Sequence, residues 1–147
     1  MGYIEDLRKL VGNTPLILNS SGVILINEKE EILLVFRKDT DNWGLIGGYM
    51  EIGETIEDTL RREVREELNT TIESLKFYGV FSGHEFYHEY PNGDKVYSVI
   101  SVFEANNLDG DIKMDNEEIS KFKFFSKDNL PDNMTKVTKI LLEKYLR

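Results

Sequence analysis

Residues 48–70 read GYMEIGETIEDTLRREVREELNT, and this stretch is the most informative part of the chain. Glu63, Glu66 and Glu67 are spaced i, i+3 and i+4, so a helix would bring three carboxylates together on one side. Carboxylates packed this closely repel one another. A raised pKa, full solvation or a bound cation would relieve that repulsion, and the spacing alone leaves all three alternatives open.

The same stretch has the periodicity of an amphipathic helix. Its apolar side chains form one stripe at ~100° per residue, roughly a quarter turn from the acids: Ile56, Leu60, Val64 and Leu68. We expect the helix to start at Glu54-Thr55 and to end before Asn69. One flank can therefore pack on a sheet while the acidic flank borders a cleft.

The stretch also contains a pattern with fixed spacing, G-x5-E-x7-R-E-x-x-E-E, formed by Gly48, Glu54, Arg62, Glu63, Glu66 and Glu67. This pattern resembles the Nudix box, the signature of a family that hydrolyses nucleoside diphosphates linked to another moiety. The chain departs from the family at Asn69, Thr70 and Ile46, where glycine, an aliphatic residue and proline are usual. Asparagine also adopts the left-handed conformation that ends a helix, so the capping role is kept. None of the departures affects an expected metal ligand.

The resemblance implies an α/β/α sandwich with a mixed central sheet, and the rest of the sequence agrees with it. The chain's length of 147 residues predicts one domain, residues 1–147. Periodicity and turn residues predict helices at 3–11 and 133–147, and strands at 16–27 (interrupted near 19–22), 32–37, 72–88, 95–105 and 122–125. A turn at residues 90–94 separates the strands at 72–88 and 95–105.

Charge and composition exclude several classes of function. The net charge of -9 argues against nonspecific binding to nucleic acid or to an acidic membrane surface. There are no cysteines, so disulfides, thiolate chemistry and a cysteine zinc site are excluded. The sequence lacks both a signal peptide and an apolar run of the ~20 residues that span a membrane. We therefore expect a cytoplasmic protein with no nucleic-acid or membrane partner, and we leave a homodimer open.

The resemblance further implies Mg²⁺, or Mn²⁺, as the cofactor. Mg²⁺ prefers oxygen ligands, and glutamates on a rigid helix supply them. By analogy with the family, the ligands would be Glu63, Glu67, Glu66 and the carbonyl oxygen of Gly48. Bound metal would also reconcile an acidic protein with a phosphate substrate.

Two further catalytic roles follow from the resemblance. Arg62 would orient the glutamates, with Glu54 as its partner, because a guanidinium fork suits a carboxylate. The base that activates water varies within the family: it is a box glutamate in some members and a loop acid in others. We favour Glu118 over Glu117 as a loop acid in this chain, and the alternative is that both only add surface charge.

The substrate is less well defined by the sequence. Arg37 lies at a strand end before the box and is expected to bind a phosphate, although it could equally be a surface arginine. Tyr87 lies 17 residues beyond the box, near a tyrosine found in the family's dinucleoside polyphosphate hydrolases. Other aromatic residues could stack on a base but are more often core residues: Phe81, Phe86, Tyr90 and Tyr97.

Three hypotheses account for these features. The first is a metal-dependent Nudix hydrolase that cleaves the pyrophosphate bond of a small nucleoside diphosphate derivative. The second is a Nudix-fold module that binds a nucleotide metabolite without turnover; such modules often lose box acids, and none is lost here. The third is an α/β domain whose glutamates form only a solvated helix face.

Overall fold

The computed structural model describes residues 2–113 and 119–147. In chain order, its helices and strands are α1 (Tyr3–Val11), β1 (Leu16–Leu25), β2 (Ile32–Arg37), β3 (Asn42–Gly44), β4 (Ile46–Tyr49), α2 (Ile56–Leu68), β5 (Lys76–Phe81), β6 (Tyr87–Glu89), β7 (Lys95–Ala105), β8 (Ile119–Phe125) and α3 (Lys136–Tyr145). A short 3-10 helix, His84–Phe86, precedes β6. These elements confirm the predicted α/β class.

The strands form two sheets, one with the order β4-β1-β7-β5 and the other β3-β2-β8. Strand β6 also pairs with β7. Because β1 is parallel to β7 but antiparallel to β4, the larger sheet is mixed, as predicted. Successive residues of β1 belong to different apolar clusters: Val23 packs with Leu60 of α2, and Ile24 packs with Leu141 of α3. Helices α2 and α3 therefore lie on opposite faces, which confirms the predicted sandwich.

The terminal helices agree with the sequence prediction. Helix α1 has the predicted bounds, and α3 lies within the predicted range 133–147. Thr135 caps α3, because its hydroxyl accepts a hydrogen bond from the backbone N–H of Thr138. Within the described ranges, no helix combines the length and the apolar character needed to cross a bilayer.

The predicted interruption of the first strand near 19–22 is wrong. Strand β1 is continuous, and all ten of its residues pair with β7. Its polar residues suggested a turn, but Ser20 and Ser21 are only 8% and 2% exposed. The hydroxyl of Ser21 donates a 2.7 Å hydrogen bond to the carbonyl of Ile56, so this serine ties the strand to the start of α2.

The single strand predicted at 72–88 is also wrong. The chain leaves β5 after Phe81, turns at Gly83 with φ at 110°, and then forms the 3-10 helix before β6. Such a positive φ strongly favours glycine, which explains the break. Phe86 is 1% exposed and anchors this turn in the core, so it is not available to stack on a base.

Strand β4 places the box beside β1 through a close approach of two backbones. A Cβ at Gly47 would overlap the carbonyl oxygen of Ser21 and lie 2.9 Å from the Cα of Gly22. Glycine is therefore required at position 47. This contact fixes the strand that carries Gly48 and Tyr49 into the site.

Candidate active site

Helix α2 begins and ends where the sequence predicted, and local hydrogen bonds cap both ends. At its start, the hydroxyl of Thr55 accepts from the N–H of Asp58, and the Asp58 carboxylate accepts from the N–H of Thr55. At its end, Asn69 has φ 53° and ψ 37°, the left-handed conformation expected of the cap. The buried residues of its apolar stripe, Leu60, Val64 and Leu68, face the core. The acidic flank is thereby held next to β4.

Glu63 packs directly against Gly48. A Cβ at position 48 would overlap the carboxylate of Glu63, so a larger residue there would displace that side chain. The Glu63 side chain is 16% exposed, and this burial raises its pKa to about 7, although the positive charge of Arg62 acts in the opposite direction. The backbone of β4 and a buried box carboxylate are therefore in contact.

Arg62 contacts four residues of the site. Its Nε donates to Glu54 at 2.6 Å and its Nη2 donates to the other oxygen of Glu54 at 3.1 Å, which is a bidentate pair. Its Nη1 donates to Glu63 at 2.9 Å and lies 3.4 Å from Glu66. Its Nη2 also donates to the Tyr49 carbonyl at 2.9 Å. The expected contact between Arg62 and Glu54 is therefore present, and the guanidinium connects the loop, β4 and α2.

The carboxylate of Glu54 accepts hydrogen bonds from three residues. Besides Arg62, it accepts from the backbone N–H of Glu51 at 2.8 Å and from the hydroxyl of Thr59 at 3.0 Å. The hydrogen bond to Arg62 is the main reason why the pKa of Glu54 falls to about 2. The same pair raises the pKa of Arg62. Glu54 is therefore ionised at neutral pH and positions the arginine.

Glu67 is almost fully buried, with 1% exposure, and is paired with Arg37 from β2. The Nη1 of Arg37 donates to Glu67 at 3.2 Å. Asp39 lies 3.9 Å from the same guanidinium. Arg37, which the sequence suggested as a phosphate ligand, is thus next to Glu67, a predicted metal ligand 30 positions further along the chain.

The acids fit a hard divalent cation in their chemistry but do not surround one point. Glu54, Glu63, Glu66 and Glu67 contact two guanidinium groups, so two negative charges remain when all four are ionised. Carboxylate oxygens are the preferred ligands of Mg²⁺. As the side chains of residues 2–113 and 119–147 lie, no three acids or histidines converge as a metal site. Glu63, Glu66 and Glu67 could therefore hold a cation together only after side-chain movement, whereas the pair of Arg62 and Glu54 can stay in place.

Tyr87, another predicted site residue, is not part of this group. Tyr87 pairs with Tyr97 across the sheet, with ring centroids 4.9 Å apart, and its hydroxyl donates to Glu89 at 3.2 Å. Within the described part of the chain, its recorded contacts include none of the box residues. Glu118 and its alternative Glu117 lie outside the described residues.

A group of three hydroxyls near the acids escaped the sequence analysis. The Tyr49 hydroxyl is 3.2 Å from the hydroxyls of both Tyr90 and Ser98. Tyr90 was considered only as an aromatic ring, and Tyr49 and Ser98 were not considered at all. One signal was present, because Tyr49 directly follows Gly48, but one tyrosine among seven does not reveal its partners.

Curated relatives of the chain are similar over its greater part. The NAD-capped RNA hydrolase NudC of Pectobacterium atrosepticum is 32% identical over 111 residues, which are 74% of this chain and 39% of that protein. NudC of Stutzerimonas stutzeri is 31% identical over 133 residues, which are 88% of this chain and 45% of that protein. The chain therefore spans less than half the length of these relatives.

A solved structure and a family model are also similar to most of the chain. The structure of a MutT NUDIX hydrolase from Burkholderia pseudomallei superposes with a TM-score of 0.74 at 26% identity and covers 87% of this chain and 97% of that one. A family model described as NUDIX domain matches residues 17–145, which include β4, α2 and both arginines of the site. Because this match covers most of its length, the chain belongs to the Nudix (MutT-like) hydrolase family.

Proposed function

We propose that the protein hydrolyses the pyrophosphate bond of a nucleoside diphosphate linked to another moiety, with Mg²⁺ or Mn²⁺ as cofactor. The products would be a nucleoside monophosphate and the phosphorylated remainder. One observation supports this proposal: the three glutamates of α2 lie on one flank of the helix, with Glu63 against Gly48 and with Arg62 and Arg37 facing the carboxylates. Of the three hypotheses drawn from the sequence, this arrangement supports the enzyme best.

Each residue of the group has a role in this proposal. Glu63, Glu66, Glu67 and the Gly48 carbonyl would hold the cation, which would supply charge neutralisation at the pyrophosphate. Arg62 keeps the loop, β4 and α2 in a fixed arrangement, with Glu54 as its anchor. Preorganised groups of this kind avoid reorganisation during the reaction.

Arg37 would change partners during binding. In the structure it neutralises Glu67, which is nearly inaccessible to water. If the Glu67 carboxylate were to hold the cation, the guanidinium would be available for a phosphate oxygen, which it can bind as a fork. The exchange leaves neither charge buried without a partner, which would be costly.

A carboxylate would deprotonate the attacking water, and two glutamates are candidates for this role. Glu66 is exposed and lies at the open side of the group, whereas Glu118 lies outside the described residues. We keep Glu118 as the preferred loop acid and Glu66 as the box alternative. A Glu118→Gln variant that loses turnover but binds Mn²⁺ normally would assign the step to the loop.

For the substrate class, the named relatives point to dinucleotides that contain a pyrophosphate. Both relatives carry the name NAD-capped RNA hydrolase, so NADH is the first substrate to test. The net charge of -9 opposes the binding of a long polyanion, and we therefore expect a free dinucleotide rather than a capped RNA. The expected cytoplasmic location stays part of this proposal.

The experiment is a hydrolysis assay on the purified protein with Mg²⁺. The panel contains NADH, ADP-ribose, diadenosine polyphosphates, normal and oxidised nucleoside triphosphates, and a short NAD-capped RNA. Product phosphate is measured after treatment with a phosphatase or a pyrophosphatase. Glu67→Gln removes a box acid, and Glu143→Gln, at an exposed position of α3, is the matched control.

We expect metal-dependent turnover that EDTA abolishes, that Glu67→Gln lowers by about 100-fold or more, and that Glu143→Gln leaves unchanged. Equal rates in the two variants would contradict the proposal. No turnover on any substrate, combined with a rise in melting temperature on nucleotide addition, would support the binding module instead.

A further inference from the structure

The three hydroxyls near the acids come from three separate elements. Tyr49 ends β4, Tyr90 lies in the turn after β6, and Ser98 lies on β7. Both contacts of the Tyr49 hydroxyl measure 3.2 Å. Ser98 is 7% exposed, and the two tyrosines are half-buried. We refer to Tyr49, Tyr90 and Ser98 as the hydroxyl cluster.

The hydroxyl cluster retains hydrogen-bonding capacity. Each hydroxyl has one proton to donate and two lone pairs to accept. The two contacts within the cluster use at most two of the three protons, so within the described residues at least one donor remains for another group. Burial, and then the neighbouring Tyr49, raise the pKa of the Tyr90 phenol, so Tyr90 remains a neutral donor at physiological pH. The cluster therefore suits a polar, uncharged ligand group.

Tyr49 connects the cluster to the acids, because its hydroxyl belongs to the cluster while its carbonyl accepts from the Nη2 of Arg62 at 2.9 Å. Gly48 and Tyr49 are successive residues of an edge strand, so Tyr49 points to the face opposite the one that meets Glu63. Because β4 is at the edge of its sheet, its two faces adjoin there, and the Nη1 of Arg37 lies 3.2 Å from Glu67 on the acidic side. A molecule with its phosphates at Arg37 would therefore extend towards the cluster.

Tyr90 is held in a defined position. Its backbone N–H donates to the Asp94 carbonyl at 2.8 Å, and the ring of His88 packs edge-on against its ring at 4.4 Å. Arg8 of α1 fastens the same turn, because its Nη2 donates to the Lys95 carbonyl at 2.8 Å and its Nε lies 3.6 Å from Asp94. Groups fixed in this way bind with little loss of conformational entropy.

We propose that the hydroxyl cluster binds the uncharged hydrogen-bonding groups of the nucleoside part of the substrate and so determines which nucleoside is accepted. The inference rests on the proposed function, because the phosphates at the acids direct the nucleoside to the cluster. No cationic side chain belongs to the cluster, so a phosphate is a poorer ligand for it than a ribose hydroxyl or a base edge. A site built to hydrogen-bond a substrate group rejects analogues that lack that group.

The test compares Tyr90→Phe with Tyr78→Phe, which removes the hydroxyl of a half-buried tyrosine on β5. For the best substrate of the panel we would measure kcat and KM separately, together with the preference between ribose and 2′-deoxyribose forms and among the four bases. We expect Tyr90→Phe to raise KM about tenfold, the effect of one lost hydrogen bond, and to reduce one of the two preferences while kcat stays within about threefold. Tyr78→Phe should match the parent in all of these values.

A second measurement separates this inference from the proposed function. Calorimetric binding of AMP, GMP, CMP and UMP, without metal, needs no turnover. In one outcome, the parent hydrolyses a substrate while Tyr90→Phe keeps the parent's KM and both of its preferences. That result would overturn the role of the cluster but leave the proposed enzyme activity standing. A parent without turnover that binds a monophosphate more tightly than Tyr90→Phe does would support the cluster and reject the enzyme. A parent that neither turns over nor binds any of them would overturn both.

Folding is checked by thermal melting of each variant. If Tyr90→Phe does not fold, Ser98→Ala decides by the same KM, preference and binding measurements, because it removes another member of the cluster. Unchanged values in Ser98→Ala would then overturn the inference.

Discussion

The two arginines of the site neutralise acids in different ways. Arg62 belongs to α2 and contacts three carboxylates and the Tyr49 carbonyl at once, with a shortest distance of 2.6 Å. Arg37 comes from β2 and pairs with the buried Glu67 at 3.2 Å, while Asp39 lies at 3.9 Å. Arg62 has many short contacts within the box, whereas Arg37 has one hydrogen bond to it.

This difference suggests different tasks. A guanidinium that joins a loop, a strand and a helix fixes their geometry, and its loss disturbs all of them. A guanidinium that covers one buried acid mainly keeps that charge compensated until another cation takes its place. We therefore expect Arg62 to act as a positioning residue and Arg37 to compete with metal while it binds phosphate.

The largest effect is expected for Arg62→Lys. Lysine keeps the charge but cannot bind Glu54 through a planar fork or reach Tyr49 at the same time. We expect turnover to fall about 100-fold, and the free energy of unfolding to fall by about 2–3 kcal/mol. Steady-state kinetics and urea denaturation measure the two quantities. Near-parental values would show that Arg62 only balances charge.

Arg37→Met is expected to strengthen metal binding. Without the guanidinium, Glu67 is buried with less compensation, so the metal-free protein should lose about 1–3 kcal/mol of stability. Mn²⁺ should bind more tightly because its competitor is gone, and KM should rise because a phosphate contact is lost. Thermal melting with and without Mn²⁺ tests this expectation. Weaker Mn²⁺ binding would assign Arg37 the same role as Arg62.

The stability of the metal-free protein should depend on pH in two ways. Glu54 has its pKa lowered from 4.5 to about 2, so its contribution is complete above pH 4.5 and is lost as the pH falls towards 2. Glu63 has its pKa raised to about 7, so its protonation stabilises the folded state as the pH falls from 7 towards 4.5. Urea denaturation of Glu54→Gln should show a flatter acid limb between pH 4.5 and 2. An acid limb as steep as the parent's would contradict the Glu54 shift.

The smallest effect is expected at the end of α2. Asn69→Gly would relieve the left-handed conformation but would lose the 2.8 Å hydrogen bond from the Asn69 amide to the Lys113 carbonyl. These effects oppose each other, and the net change should stay within about 1 kcal/mol. Asn69→Ala loses both advantages and should melt at a lower temperature. Equal melting temperatures for the glycine and alanine variants would argue against the cap.

The parts of the fold and of the site that sequence could predict depend on local signals. The bounds of α2 follow from periodicity and from the caps Thr55 and Asn69, each of which acts within a few residues of its own end of the helix. The contact between Arg62 and Glu54 was implied by the box because both lie in it.

The parts that sequence missed depend on contacts between distant residues. Ser20 and Ser21 suggested a turn. Strand β1 is nevertheless continuous, because all ten of its residues pair with β7 and the Ser21 hydroxyl donates a hydrogen bond to the carbonyl of Ile56 in α2. The pair of Arg37 and Glu67 and the hydroxyl cluster join different strands and helices, and no spacing in the sequence records such pairings.

The most direct test of the metal centre is to measure Mn²⁺ affinity by electron paramagnetic resonance. The proteins compared are the parent, Glu67→Gln and the control Glu143→Gln. The assignment of the box acids as ligands predicts that Glu67→Gln weakens Mn²⁺ binding by at least about tenfold while Glu143→Gln binds as the parent does. Equal affinities in all three proteins would contradict a metal centre on α2.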